Sequence, residues 1–213
     1  MEEYVPFSKV YEALSDAVSE IEKNKDYLND LDGIIGDSDH GEIVSLAFKK
    51  ALEEVDKNLS SEDIGELFKI FGQELVFFGG GAMGPLYGTA FLDAGKALKG
   101  KDRLTREDIV KLITAFSDGV KRRGKCDVGE KTMYDTLYHA KEAAQEAFSQ
   151  GASIKDMIKA IIKGAEIGMK TTKDLVSKRG RSSRLGERTK GHIDPGAASS
   201  YIFIKTFFER IAL

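Results

Sequence analysis

Leu31-Asp32-Gly33-Ile34-Ile35-Gly36-Asp37-Ser38-Asp39-His40-Gly41 is the stretch around which the rest of the chain is organised. It holds three carboxylates, a histidine and three glycines, with almost none of the apolar spacing that marks a helix or a strand. Glycine reaches backbone conformations closed to other residues, so Gly33, Gly36 and Gly41 let Asp32, Asp37 and Asp39 converge. Converging anions repel unless something positive offsets them. A small set of hard oxygen ligands suits Mg²⁺ that keeps waters or phosphate oxygens in its other positions. A twelve-residue calcium loop does not fit, because its closing Glu would fall on Phe48 counted from Asp37, or on Gly41 counted from Asp30. A polar turn into a helix, with Asp39 or His40 near the N-cap, is the plainer alternative.

Upstream, Phe7, Val10, Leu14, Val18 and Ile21 form a helical stripe behind Pro6, so a first helix delivers the chain to the aspartates. Downstream, Val44, Ala47, Phe48, Ala51, Leu52 and Val55 resume the period. His40 and Gly41 therefore lie at a helix N-terminus, where free N–H groups favour phosphate. Ser60 or Ser61 is expected to cap a third helix ending near Phe78, which runs into Gly79-Gly80-Gly81-Ala82-Met83-Gly84-Pro85-Leu86-Tyr87-Gly88. This glycine-rich stretch before a helix suits phosphate or a tight interhelical turn. It is neither a Walker A loop nor a dinucleotide fingerprint.

The remaining segments are also helical in period. Thr105 with Asp108 opens a fifth helix, a sixth starts near Lys131, Ser153 caps a seventh, and Pro195 begins the last. The run Lys121-Arg122-Arg123-Gly124-Lys125 is either a solvated face or positive potential beside a nucleotide. His139, mid-helix, is given no role. Between Lys178 and Gly196 a long polar loop carries six basic side chains, suited to phosphate or to a mobile surface lid. With no sustained period-2 pattern, the expectation is all-α: eight antiparallel helices joined by short connections, in one domain over residues 1–213.

Composition narrows the function classes. Of 213 residues, 41% are hydrophobic and 31% charged, and a net charge of −3 gives no global reason to expect nucleic acid or an anionic membrane surface. The sole cysteine, Cys126, excludes an intramolecular disulfide. The opening residues lack the basic and apolar regions of a signal peptide, and no apolar run approaches the roughly 18–20 residues of a membrane span. A cytoplasmic location is the expectation.

Four motifs in order carry a family resemblance: Leu31-Asp32 through Gly41, Gly80 through Gly88, Gly129-Glu130-Lys131-Thr132-Met133, and Leu185-Gly186-Glu187-Arg188 through Gly191-His192-Ile193-Asp194-Pro195-Gly196. Together they resemble the L subunit of dihydroxyacetone kinase, the nucleotide-binding half of that kinase family, over the whole chain. The resemblance implies a closed barrel of eight antiparallel helices with ADP or ATP at one end, bound through two Mg²⁺ ions on Asp32, Asp37 and Asp39. It implies phosphate contacts from His40, Gly41, Glu42, Ile43, Ala82, Met83 and Arg181. It implies nucleoside contacts from Gly124, Thr132, Met133, Asp194, Pro195 and Gly196. Where the family has a small residue, often Ser, this chain has Met83, and where it has Asn this chain has Ile43; both remove a polar side chain.

Dihydroxyacetone in that family sits on a separate K subunit, and a phosphotransferase-system M subunit recharges the tightly bound ADP in the bacterial form. Those are the partners the resemblance implies, with no nucleic acid and no membrane, and with a homodimer left open. Two other readings stay open: an ATP-dependent kinase subunit serving another small ketose or polyol, and a non-catalytic nucleotide-binding regulator.

Overall fold

The computed structural model describes residues 3–212. Among them are nine α-helices: α1 (Phe7–Lys23), α2 (Lys25–Ile35), α3 (His40–Asn58), α4 (Ile64–Phe78), α5 (Met83–Ala97), α6 (Arg106–Gly124), α7 (Met133–Ser149), α8 (Ile154–Thr171) and α9 (Pro195–Ile211). Two residues at each of two places, β1 (Val5–Pro6) and β2 (Arg103–Leu104), pair antiparallel, with Val5 opposite Leu104. The all-α expectation holds. The expectation of eight helices and no sheet is corrected by the added helix and by this short pair.

The added helix comes from a break at Asn24, whose side chain turns back onto the Glu20 carbonyl. Asn24 carries neither the glycine nor the proline that announces a break in sequence. As a result Asp32 and Gly33 belong to the last turns of α2 rather than to a loop. The α4 cap is Asp63, not Ser60 or Ser61; its carboxylate accepts from the N–H groups of Gly65 and Glu66. Thr105 and Asp108 form the capping box at α6, and Ser153 caps α8. The sixth expected helix begins at Met133, two residues late, with Thr132 as its cap and Asp135 closing a second capping box. The long polar loop is partly ordered as a 3₁₀ segment over Ser182–Thr189.

The apolar stripes converge on one aromatic core. Phe91 lies 4.7 Å from Phe71 and 4.8 Å from Phe116, and Phe48 meets Phe71 and Tyr87 edge-on. Burying each such ring contributes on the order of 1.5–3 kcal/mol, and edge-to-face pairing adds ~1 kcal/mol. Helices α1, α3, α4, α5, α6, α7, α8 and α9 each pack on the next in that order, and α9 packs on α1; α2 lies against α3. The N-termini of α3, α5, α7 and α9 consequently gather at one end, where two adjoining cavities lie. No described helix is long and apolar enough to cross a membrane.

Candidate nucleotide and metal site

Asp32, Asp37 and Asp39 each offer a carboxylate oxygen, and these oxygens lie within 4.8 Å of one another. Asp32 is the buried anchor: its Oδ2 accepts from the backbone N–H of Asp39 at 3.1 Å and of His40 at 3.3 Å. That bond pair fixes the loop onto the end of α2. A Cβ at position 36 would lie 2.1 Å from Asp32 Oδ1 and displace that carboxylate, so Gly36 leaves the anchor in place. Ser38 takes a left-handed φ of 65°, which points the backbone between Asp37 and Asp39 into the turn. The positive charge offsetting this cluster is Arg181, whose guanidinium pairs with Asp37 and reaches Asp39 at 3.6 Å.

Opposite the aspartates, the α4–α5 turn is closed by glycine against glycine: a Cβ on Gly79 would sit 2.2 Å from the Cα of Gly84. This contact presents the N-terminus of α5, where Ala82 supplies no side-chain acceptor and Pro85 has no N–H. A compartment of about 240 Å³ lies between the two, lined by Asp32, Asp37, Asp39, His40, Ile43, Ala82, Met83, Arg181 and Pro195. Ile43 packs its side chain beside Gly80.

A larger cavity of about 480 Å³ adjoins it, sharing His40, Ala82 and Met83 and adding Gly124, Thr132, Met133, Asp194 and Gly196. Its remaining wall is mostly apolar, with Pro85, Leu86, Tyr87, Val120 and Cys126. An apolar slot beside a polar, anion-ready compartment has the shape of a nucleotide site. Three carboxylates around one point fit a divalent cation by donor chemistry. Two of the expected residues are not among the lining residues: Gly41, at the start of α3 with the Lys25 carbonyl where a Cβ would stand, and Glu42, whose side chain faces solvent, paired with Lys25 at 3.0 Å.

Several residues escaped sequence reasoning. His40 Nε2 meets Ser199 Oγ at 2.9 Å, and Ser199 Oγ meets the Tyr87 hydroxyl at 2.8 Å, which also meets Ser200; this chain ties α3, α5 and α9 together. Burial lowers the His40 pKa against the pull of Asp32, so the ring favours its neutral form. Burial likewise pushes the Tyr87 hydroxyl up to about 12. Lys131, placed in sequence at a helix start, is instead almost fully buried. Its ammonium donates to the carbonyls of Thr172 and His192, and burial lowers its pKa. Glu130 takes a two-bond ion pair from Arg179, holding the basic loop over the larger cavity. Asp194 caps α9 by accepting from Ala197 N–H at 2.8 Å, and burial raises its carboxyl to about 7. Of the basic run, Lys121 and Arg122 are paired with Asp127 and Asp93, and Arg123 lines the larger cavity. His139 hydrogen-bonds the Asp135 carbonyl within its own helix.

A family model described as the DAK2 domain matches residues 34–209. The chain belongs to the DAK2 domain family. This DAK2 domain is 36% identical over 199 residues to the ADP-binding subunit DhaL of PEP-dependent dihydroxyacetone kinase 2 from Listeria innocua, covering 93% of this chain and 92% of the relative. It is 37% identical over 174 residues to the ADP-binding subunit DhaL of the PEP-dependent dihydroxyacetone kinase of Escherichia coli, covering 82% of each. The DAK2 domain is thus similar, over most of its length, to subunits of kinases. Its fold is similar to that of the dihydroxyacetone kinase from C. freundii in complex with AMP-PNP and Mg²⁺. There the TM-score is 0.70 at 22% identity, over 98% of this chain and 35% of that one.

Proposed function

We propose that this chain is the nucleotide-binding subunit of a dihydroxyacetone kinase, passing a phosphoryl group from Mg²⁺-bound nucleotide to dihydroxyacetone held on a separate K subunit. The observation that carries this reading is the adjacency of the three-carboxylate cluster, the open N-terminus of α5 and the apolar cavity. Asp32, Asp37 and Asp39 would hold two Mg²⁺ ions. Bound Mg²⁺ supplies neutralisation of phosphate charge in such a reaction. The protein's part is positioning: α5 would present N–H groups to the phosphates, Asp32 ties the start of α3 to the aspartate turn, and Arg181 adds a cation there. Gly124, Thr132, Met133, Asp194 and Gly196 would flank the nucleoside. The names of the Listeria innocua and Escherichia coli relatives, both PEP-dependent, favour recharging of bound ADP by a phosphotransferase-system M subunit. The ring of helix neighbours, with α9 back on α1, supports the closed eight-helix barrel, with α2 as an insertion before the aspartates.

A regulator that binds nucleotide without transferring phosphate is the second reading, favoured by the apolar side chains of Ile43 and Met83 on the phosphate compartment. Reconstitution separates the two. The purified chain alone is expected not to phosphorylate dihydroxyacetone, and adding the K and M subunits with phosphoenolpyruvate is expected to start turnover. Binding of ADP without any turnover in the complete mixture would establish the regulator instead.

A further inference from the structure

A second concavity, of about 450 Å³, lies outside the nucleotide site between the ends of α4 and α6 and the start of α5. Its walls are Val76, Pro85, Thr89, Arg122, Arg123 and Lys125. Its wall residue Val76 is 47% exposed and is followed in α4 by an aromatic pair open to solvent: Phe77 is 79% exposed and Phe78 40%, their rings crossed at 4.9 Å. Cations at the end of α6 are favoured by the helix dipole, which accounts for charge there but not for exposed phenyl rings. Among the described residues Lys121 and Arg122 have carboxylate partners at 2.7 and 2.5 Å, whereas Arg123 and Lys125 make no ion pair. The groove therefore joins uncompensated positive charge to the exposed apolar end of α4, where Val76 lines it and Phe77 and Phe78 follow, the composition of a docking patch and not of an ordinary solvated face.

We infer that this groove docks an acidic segment, bearing an apolar side chain, of the partner that receives the phosphoryl group. Charge complementarity selects the acidic occupant. Position selects the partner: Pro85 lines both this groove and the larger nucleotide cavity and belongs to the first turn of α5, the helix start that faces the phosphate compartment. The inference rests on the functional reading above, naming the surface that reading requires.

The test uses Phe77→Ser and Lys125→Glu, since neither side chain lines the nucleotide cavity and both stand on the surface. Affinity for a purified K subunit from the same source is measured by calorimetry at low and high salt, with ADP·Mg²⁺ titrations and thermal melts as controls. Each variant is expected to weaken the K subunit about tenfold or more while ADP affinity and melting stay as in the wild type, with wild-type affinity falling as salt rises. Unchanged K-subunit affinity in both variants overturns the inference. So does a wild-type self-association that both variants abolish while K-subunit binding is untouched, which assigns the face to a second copy. A wild type that binds no ADP in the control titrations shows the functional reading itself to be wrong, and the docking inference goes with it.

Discussion

The two ends of the helix assembly solve the same physical problem with one difference, at the start of α5. At the far end, where β1 pairs with β2, α4, α6 and α8 begin with side chains that satisfy their own N–H groups: Asp63, the Thr105–Asp108 box and Ser153. At the site end α7 and α9 are capped in the same manner, by Thr132 and Asp194. Of the two helices that flank the phosphate compartment, α3 takes its acceptors from α2, Asp32 Oδ2 for the His40 N–H and Asn29 Oδ1 for the Glu42 N–H, whereas α5 has no side-chain cap. An unsatisfied helix start is costly in a purely structural element. Where it persists beside carboxylates and an apolar cavity, it is held for an anionic ligand.

That contrast breaks first at Asp32. Asp32→Ala removes the acceptor of two backbone N–H groups along with one cation ligand. It is expected to weaken ADP binding in Mg²⁺ by at least ~100-fold and to cost ~1–3 kcal/mol of stability, read by calorimetry and urea melts. Full-strength ADP binding by that variant would refute the shared role of the site end.

Asp194 sharpens the comparison within that end, being a structural cap that is half-buried on the wall of the larger cavity. Its carboxyl is raised from 3.8 to about 7, so the folded chain holds this proton more tightly than the unfolded one. Its contribution to stability is full below pH 3.8 and is lost as the pH rises through about 7. Asp194→Asn keeps a capping oxygen and removes the charge. Its melting stability relative to wild type is therefore expected to climb over that window, by ~2 kcal/mol at the upper end. A difference independent of pH contradicts the assignment.

At the far end, Asp63→Ala should cost ~1 kcal/mol of stability and leave ADP affinity unchanged, a split readable from paired melts and titrations. The smallest effect is expected at Met83. If backbone N–H groups bind the phosphates, Met83→Ser adds at most one hydrogen bond, on the order of 0.5–1.5 kcal/mol or roughly two- to tenfold in ADP affinity. A gain of several orders of magnitude would mean that Met83 obstructs the compartment and would favour the regulator.

What could be read in the sequence was local. The apolar stripes set the helices, and Thr105, Ser153 and Pro195 marked their starts because a cap needs only residues close along the chain. The three aspartates were legible for the same reason, lying within eight residues of one another. The break at Asn24 was hidden because Lys25 and Asp26 continue the polar face of a helix without a breaker. Asp63 was overlooked in favour of two serines that precede it. Lys131, the pairing of Glu130 with Arg179 and the His40–Ser199–Tyr87 chain depend on residues between 41 and 159 positions apart, and only the fold brings these together. The Glu42 side chain, expected at the phosphates, pairs with Lys25 instead, and its N–H goes to Asn29 Oδ1, because α3 sets them against α2.

The most direct measurement is ADP titration of the wild-type chain by calorimetry in Mg²⁺ and again in excess EDTA. The three clustered carboxylates repel a diphosphate unless cations lie between them, so tight binding is expected in Mg²⁺ and a loss of at least ~100-fold in EDTA. Equal affinity in the two buffers would contradict a nucleotide site built on Asp32, Asp37 and Asp39.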